Sequence, residues 1–212
     1  MTDSPFSKLP ENLYRDSDLP QETGPSGRDE ANNQPRRLAS VLLPLHQIEN
    51  EWQLLFIRRA EHKHDRHSGQ VAFPGGAQEP ADSNQIDTAL RETEEEIGVS
   101  RKHIDVIATL PVYITSSNFH VTPVVGIVNW PVEIRPAPDE VARVFSIPLN
   151  WLINQDNFEL RARTGTDSTR NNYHPVVYFE RYDGELLWGA SARMTLNFIR
   201  ALNEGTIQLP KG

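Results

Sequence analysis

Cysteine is absent from the 212 residues of this chain. Its absence excludes a disulfide framework, a thiolate metal site and a cysteine nucleophile. Long apolar runs are missing too, since no stretch approaches the roughly 18 residues that a membrane span requires. The N-terminus also lacks the basic and then apolar pattern of a secretory signal. We therefore expect a cytoplasmic protein that does not bind membranes.

Positive charge is in short supply as well. The chain carries 21 lysine and arginine residues against 29 aspartate and glutamate residues, for a formal net charge of −8. Because general affinity for nucleic acid rests on a basic surface, this balance argues against a nucleic-acid partner. It leaves an anionic small molecule open, because local cations or a bound metal ion decide whether such a ligand binds.

The chain divides into a polar N-terminal stretch and a longer, regularly patterned region. Residues 1–37 are rich in serine, proline, acidic residues and asparagine, which predicts a largely disordered tail. Residues 38–212 have a length typical of one domain. Strand-like runs occur at 39–45, 52–57, 104–112, 120–128, 175–180 and 186–188, with 46–51 as the first connection, and helical patterns at 91–97, 151–154 and 190–203. Strands mixed with two principal helices predict an α/β fold in which helices sandwich a sheet.

An acidic helix is the strongest chemical signal in the sequence. The run at residues 91–97 places four glutamates and one arginine within six positions, although like charges at helical spacing repel. At about 100° per residue, Glu92, Glu95 and Glu96 fall within an arc of roughly 100° beside an apolar stripe. Carboxylates grouped beside the glycine turn at residues 75–76 suit a hard divalent cation such as Mg²⁺. The alternative is a solvated acidic face.

The residues around this helix resemble the Nudix box, Gly-x5-Glu-x7-Arg-Glu-U-x-Glu-Glu-x-Gly-U, in which U is aliphatic. Residues 76–99 span the box, and their second half matches it closely, although Thr93 replaces the first aliphatic residue. In the first half, Asp82 stands where the box has glutamate, and Arg91 arrives one residue late. The resemblance implies a Nudix-like α/β/α sandwich with a mixed β-sheet, and metal-dependent hydrolysis of a nucleoside diphosphate linked to another group.

The resemblance also implies roles for individual residues. The box binds Mg²⁺ or Mn²⁺, and Arg91 orients a carboxylate by a two-pronged ion pair. Either Glu95 or Glu140 takes the proton of the attacking water. Glu140 lies in a proline-stiffened loop at residues 136–141, and the alternative for it is a solvent-facing acid. The implied metal ligands all offer oxygen: Glu92, Glu95, Glu96 and the backbone carbonyl of Gly75.

A second stretch, residues 58–76, resembles the segment that marks coenzyme A pyrophosphatases within the Nudix family. It ends in Arg-His-Ser-Gly-Gln-Val-Ala-Phe-Pro-Gly-Gly, preceded by Asp65 in place of the familiar leucine. Arginine can give two parallel hydrogen bonds to phosphate oxygens, and coenzyme A carries a diphosphate and a 3′-phosphate. The alternative is that these arginines pair with surface acids. The positions that this resemblance assigns to substrate binding are Arg58, Arg66, His67, Gly69 and Gln70.

Together the two resemblances predict hydrolysis of coenzyme A or its derivatives to 3′,5′-ADP and 4′-phosphopantetheine or its acyl form. One alternative is a Nudix hydrolase of ADP-ribose, NADH or a dinucleoside polyphosphate, since the box permits all of these. Another is a non-catalytic Nudix module that senses a nucleotide. Such a module would usually have lost a metal-binding glutamate, and this chain keeps all three. The sequence also leaves a homodimer open.

Overall fold

The computed structural model describes residues 37–63, 67–115, 118–161 and 175–210. The predicted tail therefore lies outside the described residues, apart from Arg37, where the first strand begins. No helix in these described ranges is both long and apolar enough to cross a membrane.

A long hairpin opens the fold. Strand β1 (Arg37–Ile48) pairs antiparallel with β2 (Glu51–Arg59) through a two-residue turn. Glu49 and Asn50 form this turn with φ angles of 50° and 65°, the left-handed conformation that matches the strand twist in such hairpins. The predicted connection at residues 46–51 was therefore too long, because both strands continue past their apolar runs to the turn.

One mixed sheet forms the middle layer. Its other strands are β3 (Val71–Ala72), β4 (Gly75–Ala77), β5 (Ile104–Thr109), β6 (Tyr113–Ile114), β7 (Phe119–Val128) and β8 (Val141–Pro148). The central order is β3-β2-β1-β7-β5, with β4 beside β1, β6 beside β7 and β8 beside β2. Strand β1 runs parallel to β7, and the other pairs are antiparallel. The mixed sheet implied by the resemblance is confirmed.

Helix α1 (Gln85–Ile97) covers one face of this sheet. Asn84 caps its N-terminus by accepting a hydrogen bond from the Asp87 N–H at 3.0 Å. Gly98 ends the helix with a φ of 73° and an N–H bond to the Glu94 carbonyl. The apolar side chains of α1 share a buried cluster with residues of β1, β2 and β7, which fixes the acidic helix against the sheet.

The opposite face is covered by two helices and a small second sheet. This antiparallel sheet consists of β9 (Phe158–Arg161), β10 (Val176–Tyr182) and β11 (Glu185–Trp188), and the helices are α2 (Leu149–Leu152) and α3 (Gly189–Asn203). Phe56 of β2, Phe179 of β10 and Phe198 of α3 are each at most 2% exposed and share one core. Helices therefore lie on both faces of the mixed sheet, which confirms the predicted α/β sandwich.

Candidate active site

The sequence predicted a turn at Gly75 and Gly76, but both residues belong to strand β4 because they pair with β1. This glycine pair, the glycine turn of the sequence pattern, lies between β1 and α1. Gly75 pairs with Val41 of β1, and Gly76 pairs with Ser40. A Cβ on Gly75 would overlap the Ser40 carbonyl, and a Cβ on Gly76 would overlap the Glu92 carboxylate. Both positions need glycine because the backbone touches its neighbours on either side. The turn thus brings bare backbone directly against the acidic face of the helix.

Arg91 joins several carboxylates of the site. Its Nε and Nη2 donate to the two oxygens of Asp82 at 2.8 and 3.0 Å, which is a two-pronged ion pair. Its Nη1 donates to Glu95 Oε2 at 2.8 Å, and Nη2 lies 3.1 Å from Glu92 Oε1 and from the Ala77 carbonyl. The guanidinium thereby arranges three acidic side chains at once.

Asp82 anchors the loop that precedes α1. Its side chain is 2% exposed and also accepts hydrogen bonds from the Glu79 N–H at 2.8 Å and the Thr88 hydroxyl at 2.9 Å. The Arg91 guanidinium holds the pKa of this carboxyl well below its usual range. Asp82 therefore stays charged and fixes Arg91, although the spacing between them is one residue longer than in the box pattern.

Glu96 is the most deeply buried carboxylate of the helix, with 2% exposure. Its Oε2 accepts a hydrogen bond from the Gly75 N–H at 2.9 Å. Burial raises the pKa of Glu96 to about 7, and the charges of Glu92 and Glu140 add to the rise. The Gly75 N–H and the positive charge of Arg59 oppose it. An uncompensated negative charge at this position is therefore costly.

Glu92 shares that cost. Burial raises its pKa, and the charges of Glu95 and Glu140 raise it further. A cation beside these carboxylates would remove the cost, and an all-oxygen donor set suits Mg²⁺ or Mn²⁺. Within the described residues, no three acidic or imidazole groups already converge on one point. Water and phosphate oxygens would complete the coordination of an ion held here, as Mg²⁺ prefers.

Two exposed carboxylates flank the buried pair. Glu95 is 57% exposed and is held by Arg91 at the rim of the site. Glu140 is exposed in the loop before β8, where its carbonyl accepts a hydrogen bond from the Ala60 N–H at 2.8 Å. The charges of both residues raise the pKa of Glu92. Both candidates for the general base therefore lie within electrostatic reach of the buried carboxylates.

Arg58 lies on the face of the sheet opposite α1. It continues the alternation of Leu54 and Phe56, whose side chains belong to the core beneath α3. Its Nη1 donates to Glu185 Oε1 at 3.1 Å, and Arg143 Nη1 donates to the same oxygen at 2.9 Å. Glu185 is 6% exposed and Arg58 is 42% exposed. Arg58 thus pairs with an acid, and its contact with substrate stays a prediction.

Arg59, the next residue along β2, was missed as a site residue. It follows Leu55 and Ile57, which pack in the cluster beneath α1. Its charge lowers the pKa of Glu96, so its guanidinium lies near that carboxylate. Strand alternation shows that Arg58 and Arg59 face opposite sides. Packing between distant parts of the chain decides which side the acidic helix covers. The local sequence pattern could therefore not show which of the two arginines faces that helix.

The next described residues form a tight turn. His67 Nδ1 donates to Gln70 Oε1 at 3.1 Å, and the Gln70 N–H donates to the His67 carbonyl at 3.2 Å. Gly69 has a φ of 69°, which glycine adopts without strain. The Arg59 N–H donates to the Gln70 carbonyl at 3.0 Å and so ties this turn to β2. Arg66 lies outside the described residues, and its role stays a prediction.

A family model described as NUDIX domain matches residues 35–168 of this chain. The match covers well over half of the 212 residues and includes the acidic helix, the glycine turn and the Arg58 region. The chain belongs to the Nudix family.

Two Nudix relatives match over a similar length. The protein named uncharacterized Nudix hydrolase NudL from Yersinia pestis (strain Pestoides F) is 37% identical over 156 residues, which is 74% of this chain and 75% of the relative. Its namesake from Yersinia pseudotuberculosis serotype O:1b (strain IP 31758) gives the same figures. Among solved structures, a MutT/nudix family protein from Enterococcus faecalis matches 80% of this chain and 63% of its own, at 16% identity and a TM-score of 0.49.

Membership of the Nudix family gives the acidic helix a chemical meaning. Nudix hydrolases act on nucleoside diphosphate derivatives and generally use a divalent metal ion such as Mg²⁺ or Mn²⁺. In this Nudix chain, Glu92 and Glu96 are the carboxylates whose burial makes a cation most favourable. Family membership alone does not select one substrate.

Proposed function

We propose that this Nudix protein hydrolyses the diphosphate of coenzyme A or its derivatives with Mg²⁺ or Mn²⁺. The hydrolytic part rests on the buried Glu96 carboxylate beside Glu92, whose raised pKa values favour a cation at this place. The resemblance of residues 58–76 to coenzyme A pyrophosphatases supports the choice of substrate. The products would be 3′,5′-ADP and 4′-phosphopantetheine or its acyl form.

The ion would be held by oxygen atoms around the glycine turn: Glu92, Glu95, Glu96 and the backbone carbonyl of Gly75. When bound, such an ion would offset charge on the diphosphate and lower the pKa of a water molecule. Arg91 holds Glu95, the exposed carboxylate of this set, in place. Either Glu95 or Glu140 takes the proton as the water attacks one phosphorus in line. The bond from that phosphorus to the bridging oxygen breaks, and the second phosphate leaves with that oxygen.

Cationic side chains are the other contacts that a diphosphate requires. Arg59 supplies a positive charge near Glu96 on the metal side of the sheet. Arg58 donates through one nitrogen to Glu185 and stays 42% exposed. Because a guanidinium has five donors in a fixed fork, Arg58 can contact a phosphate while Glu185 holds it. Arg66 would add a third cation by its place in the resembling segment.

Product analysis tests this function directly. Purified protein is incubated with coenzyme A and Mg²⁺ or Mn²⁺, and we expect 3′,5′-ADP and 4′-phosphopantetheine. Glu96→Gln keeps the size of the side chain but not its charge, and should lower turnover by about 10²-fold or more. In ¹⁸O-water, label in one product alone identifies the phosphorus that was attacked. Undiminished turnover in Glu96→Gln would show that Glu96 is not needed for metal binding. If the wild-type protein turned over no diphosphate, the non-catalytic sensing module would be favoured.

A different Nudix substrate is the second candidate. The ion pair of Arg58 with Glu185 favours it, because a guanidinium already paired with a buried acid is less available to phosphate. The box permits ADP-ribose, NADH and dinucleoside polyphosphates as alternatives. Comparing kcat/KM for coenzyme A and ADP-ribose separates the two candidates. A higher value for ADP-ribose would keep the metal site and reject the substrate assignment of residues 58–76.

A further inference from the structure

The loop that carries Glu140 is attached to the acidic helix on one side. The Arg135 N–H donates to the Ile97 carbonyl at 2.9 Å, and the Ala137 N–H donates to the Glu96 carbonyl at 2.8 Å. Both acceptors lie at the C-terminal end of α1, where the last four carbonyls have no partner within the helix. The loop is therefore fixed relative to the residue that carries the buried carboxylate.

The other side of the loop is attached to the residues that follow β2. The Ala60 N–H donates to the Glu140 carbonyl at 2.8 Å. His62 Nε2 donates to the Asp139 carbonyl at 2.6 Å, and the His62 N–H donates to the Ser68 hydroxyl at 2.8 Å. Because a carbonyl only accepts, Nε2 must carry the hydrogen. His62 thus links the chain segment before the glycine turn to the loop.

The loop makes few bonds of its own. Its two prolines have no N–H to donate. The N–H groups of Glu140 and Val141 both go to one acceptor, the Ala137 carbonyl, at 3.0 and 2.8 Å. Ala60 and His62 therefore hold the backbone carbonyls of Glu140 and Asp139 from outside the loop.

We propose that His62 is a positioning residue that holds Glu140 toward the metal-binding end of α1. The proposal rests on the proposed function, in which Glu140 is a candidate base. The carbonyl that His62 binds belongs to the residue directly before Glu140, so a shift there moves the acid itself. Misplacing a reacting group by about 1 Å can cost about 10²-fold in rate, so a single hydrogen bond at this position is enough to affect turnover.

A double-mutant cycle tests whether His62 acts through Glu140. His62→Leu removes the donor, whereas His62→Gln keeps an amide N–H near the place of Nε2. We expect His62→Leu to lower kcat by about tenfold with KM within about twofold, and His62→Gln to stay within about twofold of wild type. In a Glu140→Gln background, His62→Leu should cause no further loss. Losses that multiply, or equal losses in the two His62 variants, would overturn the proposal.

Hydrogen exchange of the metal-free protein gives a readout that does not depend on turnover. The amides of residues 137–141 should exchange faster in His62→Leu than in wild type and His62→Gln, because the loop loses an anchor. Exchange rates in His62→Leu equal to those of wild type would overturn the proposal that His62 holds the loop. A wild-type protein that cleaves no diphosphate would reject the proposed function, and the exchange rates would still decide whether His62 holds the loop.

Discussion

The shape of the Arg91 side chain decides how the acidic residues of this site are arranged. Its planar guanidinium binds Asp82 through two parallel hydrogen bonds while further N–H groups reach Glu92 and Glu95. Lysine carries the same charge on a single compact group and cannot reproduce this fork. The carboxylates are therefore ordered by geometry as well as by charge.

Arg91→Lys is expected to lower kcat by about tenfold or more, because lysine cannot hold Asp82 at two points and orient the glutamates together. Steady-state kinetics with the substrate found by product analysis measures the loss. Arg101→Lys is the matched control, since Arg101 is 50% exposed and pairs with Asp87 near the start of the same helix. That variant should keep kcat within about twofold. A wild-type kcat in Arg91→Lys would remove its orienting role.

Among single residues, the sequence predicted the burial of the acids better than the positions of the arginines. Helical spacing placed Glu92 and Glu96 at the edge of the buried face, and both are mostly buried. Glu95 was grouped with them, yet it is 57% exposed because it lies farther round the helix. Arg58 and Arg59 could not be told apart, because the helix that covers each face of a strand is set by tertiary packing.

At the scale of secondary-structure elements, the β10–β11 hairpin is attached to the central sheet by charge. Glu185 accepts hydrogen bonds from Arg58 of β2 and Arg143 of β8, which are direct cross-strand partners. Arg143 also pairs with Asp183 in the turn of the hairpin. One buried carboxylate therefore joins three strands that come from both sheets.

Glu185→Gln should lower the free energy of unfolding by about 1–2 kcal/mol, because two partly solvated guanidiniums lose a buried counter-charge. Urea unfolding followed by tryptophan fluorescence measures the change. Glu159→Gln is the matched control, because Glu159 pairs with Arg161 on the small sheet but is 53% exposed. It should stay within about 0.5 kcal/mol of wild type. Equal unfolding midpoints for the two variants would show that burial of Glu185 adds nothing.

Long periodic elements were predictable from the sequence and short ones were not. The strand predicted at 120–128 is β7, and the helix predicted at 190–203 is α3, each extended by one residue at its start. The strand predicted at 104–112 ends earlier, at Thr109. Five strands were not predicted: β3, β4, β6, β8 and β9. All but β8 have only two to four residues, and the apolar residues of β8 do not alternate. Pairing with neighbouring strands fixes their positions, and a local sequence pattern does not show that pairing.

Across the whole molecule, two buried groups titrate in opposite senses. Burial raises the pKa of Glu96 from 4.5 to about 7 and lowers the pKa of His46 from 6.5 to about 4. The contribution of Glu96 to stability is fully present below pH 4.5 and is lost as pH rises through 7. The contribution of His46 is present above pH 6.5 and is lost as pH falls through 4. Between pH 4.5 and pH 6.5 the two contributions therefore change in opposite directions in the wild-type protein.

Glu96→Gln should separate the contribution of Glu96 to stability from that of His46 in the metal-free protein, because glutamine does not titrate. We expect the difference in free energy of unfolding, wild type minus variant, to fall by about 2 kcal/mol between about pH 5 and pH 7.5. Urea unfolding in the presence of a chelator measures it at each pH. Mg²⁺ at the higher pH should stabilise the wild type more than the variant. A difference independent of pH would mean that Glu96 has an ordinary pKa.

The parallel pairing of β1 with β7 affects the order in which the chain folds. Strand β1 pairs with β2 through a two-residue turn. Its pairing with β7 is distant in sequence, since Leu45 lies opposite Ile127. Closing that long loop costs chain entropy before its contacts offset the loss, so we expect the hairpin to form early and β7 to dock late. The acidic helix and the glycine turn both lie inside this loop. Activity should therefore appear only in the last phase of refolding, after the amides of the β1–β2 hairpin are already protected from hydrogen exchange.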